Sequence, residues 1–593
     1  MDPAFLERHW ETLPNLNRLR QQGGFQRLNT TVPPQSPVAW STFITGMDPG
    51  GHGIFDFVHR NPRTLEVFSS LAETIEPKWK IPLGPWELPL SSGAVRLFRR
   101  GKAFWQVLSE AGVPVTVIRM PNNFPPVDCE GLSLAGMGTP DLSGTFGTFT
   151  YFTNDPFEQP RQVAGGRIVE AAPTDHHAIL RLEGPANSLR RDRTASFVDI
   201  AVDIDPTQPV ARFHAGDSVL ILKEKEWSGW VRVRFPLMGR LVSTAGMFRI
   251  YVRELHPRFR VYVSPVNIDP EDPGVPLSTP PSYSRELARS VGPYYTQGIA
   301  EDTAALRQGA LSPDEFVQQA TLVATEHLKL LDYALSKFQS GLLFFHFFGV
   351  DQISHMFWVR KEPEVLAMYQ RVDRAIGKVM ERIGVGDLIV MSDHGFTSFD
   401  RAMHLNSWLR GEGLLTMKDE SGAGLGSVDW SRTQAYAVGL NGLYLNQQGR
   451  EAQGIVAVEH RRRIIESIRD RLLASRDEKG LAPVEAVYQP REIFHGSQLE
   501  AAPDLIVGYG PGYRASWQTA LGQAPPLVFE DNTDAWIGDH CVAAHRVPGV
   551  FLSNRHGDSG PAELQDVTAT LLERFGARPE PGMSGKPLGL KRN

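Results

Sequence analysis

Two short stretches of this sequence carry residues of the types and spacing that hold metal ions. Asp351 is followed four residues later by His355, in Val350-Asp-Gln-Ile-Ser-His355, and Asp393 is followed at once by His394, in Ser392-Asp-His-Gly395. A carboxylate and an imidazole four apart share one face if the chain turns helically, a donor pair suited to a divalent ion of the Zn²⁺ type. Asp393 and His394, being adjacent, can share one ion or reach two. A third stretch, Trp536-Ile-Gly-Asp-His540-Cys-Val-Ala-Ala-His545, offers two further histidines, either of which would serve by residue type. Ser36 supplies a hydroxyl: Ser36-Pro37 precedes the apolar VAWSTFIT and Gly46, and serine caps helices while proline suits their first turn. A hydroxyl at a helix N-terminus sits where a phosphoryl or sulfuryl group would be received. A metal would be needed to activate it, because free serine is a poor nucleophile. Taken singly, each of these residues reads equally well as a capped turn, a helix cap or a structural histidine; their joint presence is what points to metal-assisted group transfer. His52, His346, His404 and His495 have no comparable partner spacing and are read as structural.

These residues need strands and helices to bring them together. The nearly continuous apolar run 342–348 reads as a strand buried on both faces, and its end delivers Asp351. A helix over 364–383 and a second buried strand over 387–391 follow, and that strand delivers Asp393 and His394. Ligands in open parallel sheets bind beyond the carboxyl ends of strands, which is where both pairs fall. Helices are predicted over 13–23 and 102–112, a strand over 115–118, and a helix opened by the capping box Ser312-Pro-Asp-Glu315. Further units follow near 457–473, 504–507, 549–552 and 562–575. Between 162 and 268 the texture changes to short alternating segments such as 230–235, 248–252 and 259–263, and the proline-rich 269–282 reads as an exit linker. The expectation is an α/β fold with a mostly parallel central sheet flanked by helices. Residues 1–155 and 281–593 form the α/β domain, and 156–280 a β-rich insertion.

Composition excludes several classes. The chain has 593 residues, 41% hydrophobic, 22% charged and 9% aromatic, an ordinary globular make-up with room for a large core. Lys+Arg 61 against Asp+Glu 67 gives a net charge of −6, so there is no nucleic-acid-binding signal and an anionic substrate must be held locally. Cys129 and Cys541 are too few for a disulfide framework. No apolar run approaches the ~20 residues of a transmembrane helix, and no signal peptide stands at the start as written. No internal repeat is present, and oligomeric state cannot be read.

In combination and order, SPVAWSTFITGMDPGGHGIFDF (36–57), VDQISH, MSDHGF and GDHCVAAHRVPGVF resemble the alkaline phosphatase superfamily, and within it the type I phosphodiesterase/nucleotide pyrophosphatase group. The resemblance covers most of the chain outside the β-rich stretch. It implies a phosphoric ester hydrolase, with phosphodiesters the first expectation, using two divalent metals, Zn²⁺ first and Mn²⁺ second, on a small phosphate ester. Ser36 falls at the nucleophile position, nine residues before Thr45-Gly46. Asp351 and His355 match ligands of the first metal, completed by His540 on its Gly-Asp-His context, with His545 the second choice. Asp393 and His394 match ligands of the second.

The sequence departs from the group in two places. The group begins with a strand ending in Gly-x-Asp-Gly, whose Asp is a second-metal ligand, whereas Met1-Asp2-Pro3 resembles only the tail of that stretch. The expectation is that the natural chain extends upstream. As written, Asp2 alone is left to replace the carboxylate, which it is not expected to do. The same gap would hide a signal, so a cytoplasmic location holds only for the sequence as given. Secondly, Phe57 stands where nucleotide pyrophosphatases have an Asn that contacts phosphate, which weighs against nucleotide substrates. The alternatives are a phosphomonoester or phosphonate hydrolase or a phosphomutase on the same scaffold, or a catalytically silent binding protein. A sulfatase is disfavoured, because Ser36-Pro-Val-Ala-Trp lacks the C/S-x-P-x-R context.

Overall fold

The computed structural model describes residues 1–239, 241–419, 424–558 and 560–591. The chain forms two compact units. One comprises Met1–Ala72, Leu97–Val113 and Val350–Asn593, and the other Glu73–Arg96 and Pro114–Gly349. Every residue singled out above as a candidate ligand or nucleophile lies in the first.

In that unit the predicted first helix is Pro14–Gly23, and it leads through the strand Phe25–Asn29 to the helix Ser36–Thr45. All ten residues of Ser36–Thr45 are buried, as expected of a helix with no polar stripe. It stops at Gly46, whose φ of 62° only glycine adopts without strain and whose N–H closes on the Thr42 carbonyl. Ser36 is its first residue rather than its cap. Gln35 holds the cap position, and its side chain does not cap because it is engaged elsewhere.

The sheets of this unit are mixed, which corrects the expectation of a mostly parallel sheet. Gly549–Ser553 runs antiparallel to both Phe25–Asn29 and Ile389–Met391, and only Ala562–Glu563 is parallel to its neighbour. Direction of travel explains this: the strands Phe25–Asn29 and Ile389–Met391 lead toward Ser36 and Asp393, whereas Gly549–Ser553 leads away from His540. In a second sheet Thr397–Met403 pairs with Gly512–Ala515 in parallel and with Phe529–Asp531 and Gly538–Asp539 in antiparallel fashion. The last of these pairs Thr397 with Asp539 and Ser398 with Gly538. A third, antiparallel sheet includes Leu505–Tyr509 and rests on an apolar cluster with Leu443, Leu445, Leu505, Val507 and Ile468.

The second unit holds a three-strand parallel run. Val115–Met120 lies between Leu342–Phe345 and Leu132–Ala135, parallel to both. The helix Pro313–Lys337 opens with the expected box, Ser312 N–H donating to Glu315 Oε2 at 2.6 Å and Glu315 N–H to Ser312 Oγ at 3.3 Å. The strands Leu342–Phe345 and Ile389–Met391 are shorter than predicted and half-buried, because each is an edge strand of its four-stranded sheet. In the β-rich part, the sheet from His177–Ala186 to Ser218–Lys223 shares one buried cluster with Val231–Met238 and Val242–Phe248, including Leu180, Ile200, Phe213, Val233, Phe235 and Phe248. This is sandwich packing. The predicted strand 248–252 is broken at Arg249, which is buried against Glu326: Phe248 ends a strand paired with Val231–Met238, and Ile250–Glu254 starts one paired with Arg260–Val263 in another sheet. Among the described residues no helix is long and apolar enough to cross a membrane.

Candidate metal centre

Asp351 and His355 lie on the helix Gly349–Phe357, as their spacing predicts, with His355 Nε2 3.5 Å from Asp351 Oδ2. Asp393 and His394 follow the strand Ile389–Met391, and His540 follows Gly538–Asp539. The structure brings these together. Ligand atoms of Asp351, His394 and His540 all lie within 4.8 Å of one another. The His394 and His540 rings stack at 3.6 Å, and His394 Nε2 is 3.9 Å from Asp351 Oδ1 and 3.3 Å from Asp393 Oδ2. Ser36 Oγ is 3.0 Å from His394 Nε2. His545 is elsewhere: it is exposed and pairs with Glu485 at 2.9 Å. Asp2 N-caps the helix Pro3–His9, its Oδ1 accepting the Phe5 N–H at 2.8 Å, while its Oδ2 accepts the Phe396 N–H at 3.4 Å.

Each imidazole is oriented by a backbone carbonyl. Nδ1 of His355 donates to Gly538 O at 2.8 Å, Nδ1 of His540 to Pro34 O at 2.7 Å, and Nδ1 of His394 to Gly395 O at 3.0 Å. With the proton fixed on Nδ1, the Nε2 lone pair is left for a cation, the usual outer-shell arrangement of metal-binding histidines. Burial pushes His394 down to about 4 and His540, beside two other imidazoles, down to about 3, so both are neutral at ordinary pH. Burial disfavours the charge of Asp351, but the imidazoles of His355, His394 and His540 outweigh it and hold that carboxyl far below the usual range. Burial and the adjacent Asp351 push Asp393 the other way, upward. Asp351 Oδ1 and Asp393 Oδ2 are buried and accept no hydrogen bond. Orphaned carboxylate oxygens facing neutral imidazoles fit a cation. The donor set of three histidines and two aspartates therefore fits divalent metal.

Several supporting residues went unrecognised in the sequence. Asp539 Oδ1 accepts the N–H of His540 at 2.7 Å and of Cys541 at 2.8 Å, and its Oδ2 accepts Trp536 Nε1 at 3.2 Å and pairs with Arg514 at 2.9 Å. The Trp536 ring in turn lies 3.9 Å from that of His355. Behind Ser36, the Gln35 amide donates to Asp56 and Asn441 at 2.8 and 2.7 Å and accepts the Phe57 N–H at 2.8 Å. The Phe57 side chain packs on the large apolar cluster of its unit. The adjacency of Asp539 to His540 was visible in Gly-Asp-His; the pairing of Gln35 with Asn441, far apart in the chain, left no local signal.

The type I phosphodiesterase / nucleotide pyrophosphatase sequence family matches residues 1–165 and 238–527. The chain belongs to this family. The stretch between the two matched segments holds the whole of the antiparallel sheet from His177–Ala186 to Ser218–Lys223 described above. No curated protein matches this family member. Solved structures similar to it include phosphonoacetate hydrolase from Sinorhizobium meliloti 1021, 12% identical with a TM-score of 0.45 over 97% of this chain and 93% of that one. Murine ectonucleotide pyrophosphatase/phosphodiesterase 5 is 12% identical with a TM-score of 0.39 over 97% and 92%. The alkaline phosphatase PafA is 11% identical with a TM-score of 0.42 over 99% and 96%.

Proposed function

We propose that this family member is a metal-dependent phosphoric ester hydrolase, acting on phosphodiesters through a phosphoryl-Ser36 intermediate. The observation that carries this reading is the placement of Ser36 Oγ 3.0 Å from His394 Nε2, beside orphaned oxygens of Asp351 and Asp393. Asp351, His355 and His540 would hold one divalent ion and Asp393 and His394 the other, with Zn²⁺ the first candidate and Mn²⁺ the second. Such ions supply positive charge for an anionic phosphoryl group and lower the pKa of a hydroxyl or water. Ser36 Oγ attacks phosphorus and the bond to the leaving oxygen breaks, the serine proton ending on the departing alkoxide so that an alcohol is released. Water then attacks the phosphoryl-serine and frees Ser36. The N-terminal end of the helix Ser36–Thr45 favours the negative charge this brings. Phe396, packed against the rings of His355, His394 and His540 at 5.0, 5.6 and 5.6 Å, keeps one side of the centre dry. We take 156–280 as an insertion between the catalytic segments 1–155 and 281–593. The family match, which passes over residues 166–237, supports that division.

The test is hydrolysis of bis(4-nitrophenyl) phosphate beside 4-nitrophenyl phosphate, with and without Zn²⁺ or Mn²⁺, by wild type and Ser36→Ala. Diester turnover that needs the metal and is lost in Ser36→Ala, with metal content retained, is expected. Full activity in Ser36→Ala would remove Ser36 as the nucleophile. Preference for the monoester would shift the substrate class.

A further inference from the structure

Arg99 is a buried cation without a counter-charge. It is 8% exposed, its Nε is buried with no acceptor, and among the described residues no carboxylate or carbonyl pairs with its side chain. Burial accordingly pushes it down to about 10, with no acid offsetting the loss. Buried arginines in this unit otherwise have partners: Arg60 meets Glu451 at 2.9 Å and Arg514 meets Asp539 at 2.9 Å. An isolated guanidinium in a protein interior is costly, and its five donors are a fixed fork for carboxylate or phosphate. Two contacts bring Arg99 and His59 to one place: the Phe68 ring lies 6.1 Å from that of His59 and 5.2 Å from that of Phe98, the residue before Arg99, and both groups help burial to depress the pKa of the nearby His52. His59 contributes a second donor. Its Nε2 accepts the Phe55 N–H at 3.1 Å, so the neutral ring carries its proton on Nδ1, which has no acceptor among the described residues. Asp56, three residues before His59, is already engaged by the N–H groups of Leu440 and Asn441 and by Gln35 and answers neither group.

This group is tied to the Ser36 helix. His52 Nε2 is 3.0 Å from Thr42 Oγ1, and Ile54 N–H donates to His52 Nδ1 at 3.1 Å, so Nε2 carries the proton toward Thr42. Thr42 is six residues beyond Ser36 on one helix, about 9 Å along its axis. The Arg100 N–H donates to the His52 carbonyl at 2.9 Å and fixes the segment that carries Arg99.

We propose that Arg99 and His59 form an anion-binding subsite alongside the Ser36 helix, which takes a second anionic group, a carboxylate or phosphate, carried by the substrate. The proposal rests on the reading of the Ser36 centre as a site of phosphoryl transfer, and it narrows that reading to phosphate esters with two charged ends.

Two measurements test it. The first is calorimetric titration of inorganic sulfate into metal-free protein, in which the Ser36 centre has no cation to attract it. Saturable binding that weakens at least tenfold in Arg99→Met, weakens in His59→Phe and is largely kept in Arg99→Lys is expected; binding that Arg99→Met leaves unchanged, or no binding to wild type, overturns the subsite. Arg99→Met should fold at least as well as wild type, since it removes an unpaired buried charge. The second compares, in metal-loaded enzyme, a nitrophenyl phosphodiester whose other arm ends in a carboxylate with its methyl ester. The ratio of kcat/KM for the two should fall at least tenfold in Arg99→Met, and an unaltered ratio means that the subsite does not serve the substrate. If wild type hydrolyses neither ester, the phosphoryl-transfer reading fails, and the sulfate titration alone decides whether Arg99 binds anions.

Discussion

The centre depends on which single atoms are pinned. His540 has its Nδ1 fixed by the Pro34 carbonyl, whereas His545 pairs with Glu485 at the surface. His540→Ala should therefore lose at least one equivalent of bound metal and His545→Ala none, as elemental analysis of the purified proteins would show. Equal stoichiometry in both variants would remove His540 from the ligand set. Asp539 accepts four donors, so Asp539→Asn must turn an amide N–H toward at least one of them. A weakening of metal affinity by about 10–100-fold is expected, the range seen when outer-shell partners are lost, with the fold retained by circular dichroism. His52 gives a separate prediction. Its folded pKa lies well below the ordinary 6.5, chiefly through burial and then Arg99 and His59. Between the two values the unfolded chain binds a proton that the folded protein does not. Its contribution is thus fully present above pH 6.5 and is lost as pH falls below it, by about 1.4 kcal/mol per pH unit at most. Urea midpoints of wild type should fall more steeply from pH 7 to 5.5 than those of His52→Gln; parallel curves would contradict this.

At the level of elements, the Ser36–Thr45 helix shows how local rules place a reactive group. Proline in its first turn and glycine past its end were both readable from sequence, and they fix where Ser36 emerges. Gly46→Ala places a Cβ 3.2 Å from Thr568 and 3.3 Å from Met583 in a left-handed conformation. A loss of about 1–2 kcal/mol in denaturant unfolding is expected. Helices and their boundaries were the legible part: Pro14–Gly23, Pro313–Lys337 and the i, i+4 placement of Asp351 and His355 all follow from spacing and caps. Strand direction was not, because a run such as 549–552 reads the same whichever way its neighbours travel. Nor was the break at Arg249 visible, since the strands on its two sides pair in different sheets and Arg249 itself pairs with Glu326 on a helix far along the chain. The candidate ligands of the centre were legible for the same reason that its support was not: His and Asp in such contexts are recognisable, whereas Gln35, Asp56 and Asn441 are ordinary residues made important by long-range pairing.

For the whole molecule, the proposed ligand set, with the buried oxygens of Asp351 and Asp393 in it, would make metal a component of stability. An ion bound only by the folded state stabilises it by mass action, about 4 kcal/mol at a thousandfold excess over Kd. Chelation should therefore lower the thermal midpoint and Zn²⁺ restore it, and an unchanged midpoint across chelation and Zn²⁺ addition would argue against the assigned ligands. The ladder that pairs Thr397 with Asp539 has a consequence in time. It anchors the loops of His394 and His540 to each other, and His540 is held in turn by the Pro34 carbonyl. During synthesis the centre cannot close until residue 540 has been made, about half a minute to two minutes into translation at 5–20 residues per second. Ser36, made within the first seconds, waits through almost the whole of that interval without its partners, so a nascent chain should carry no reactive serine while it is still being built.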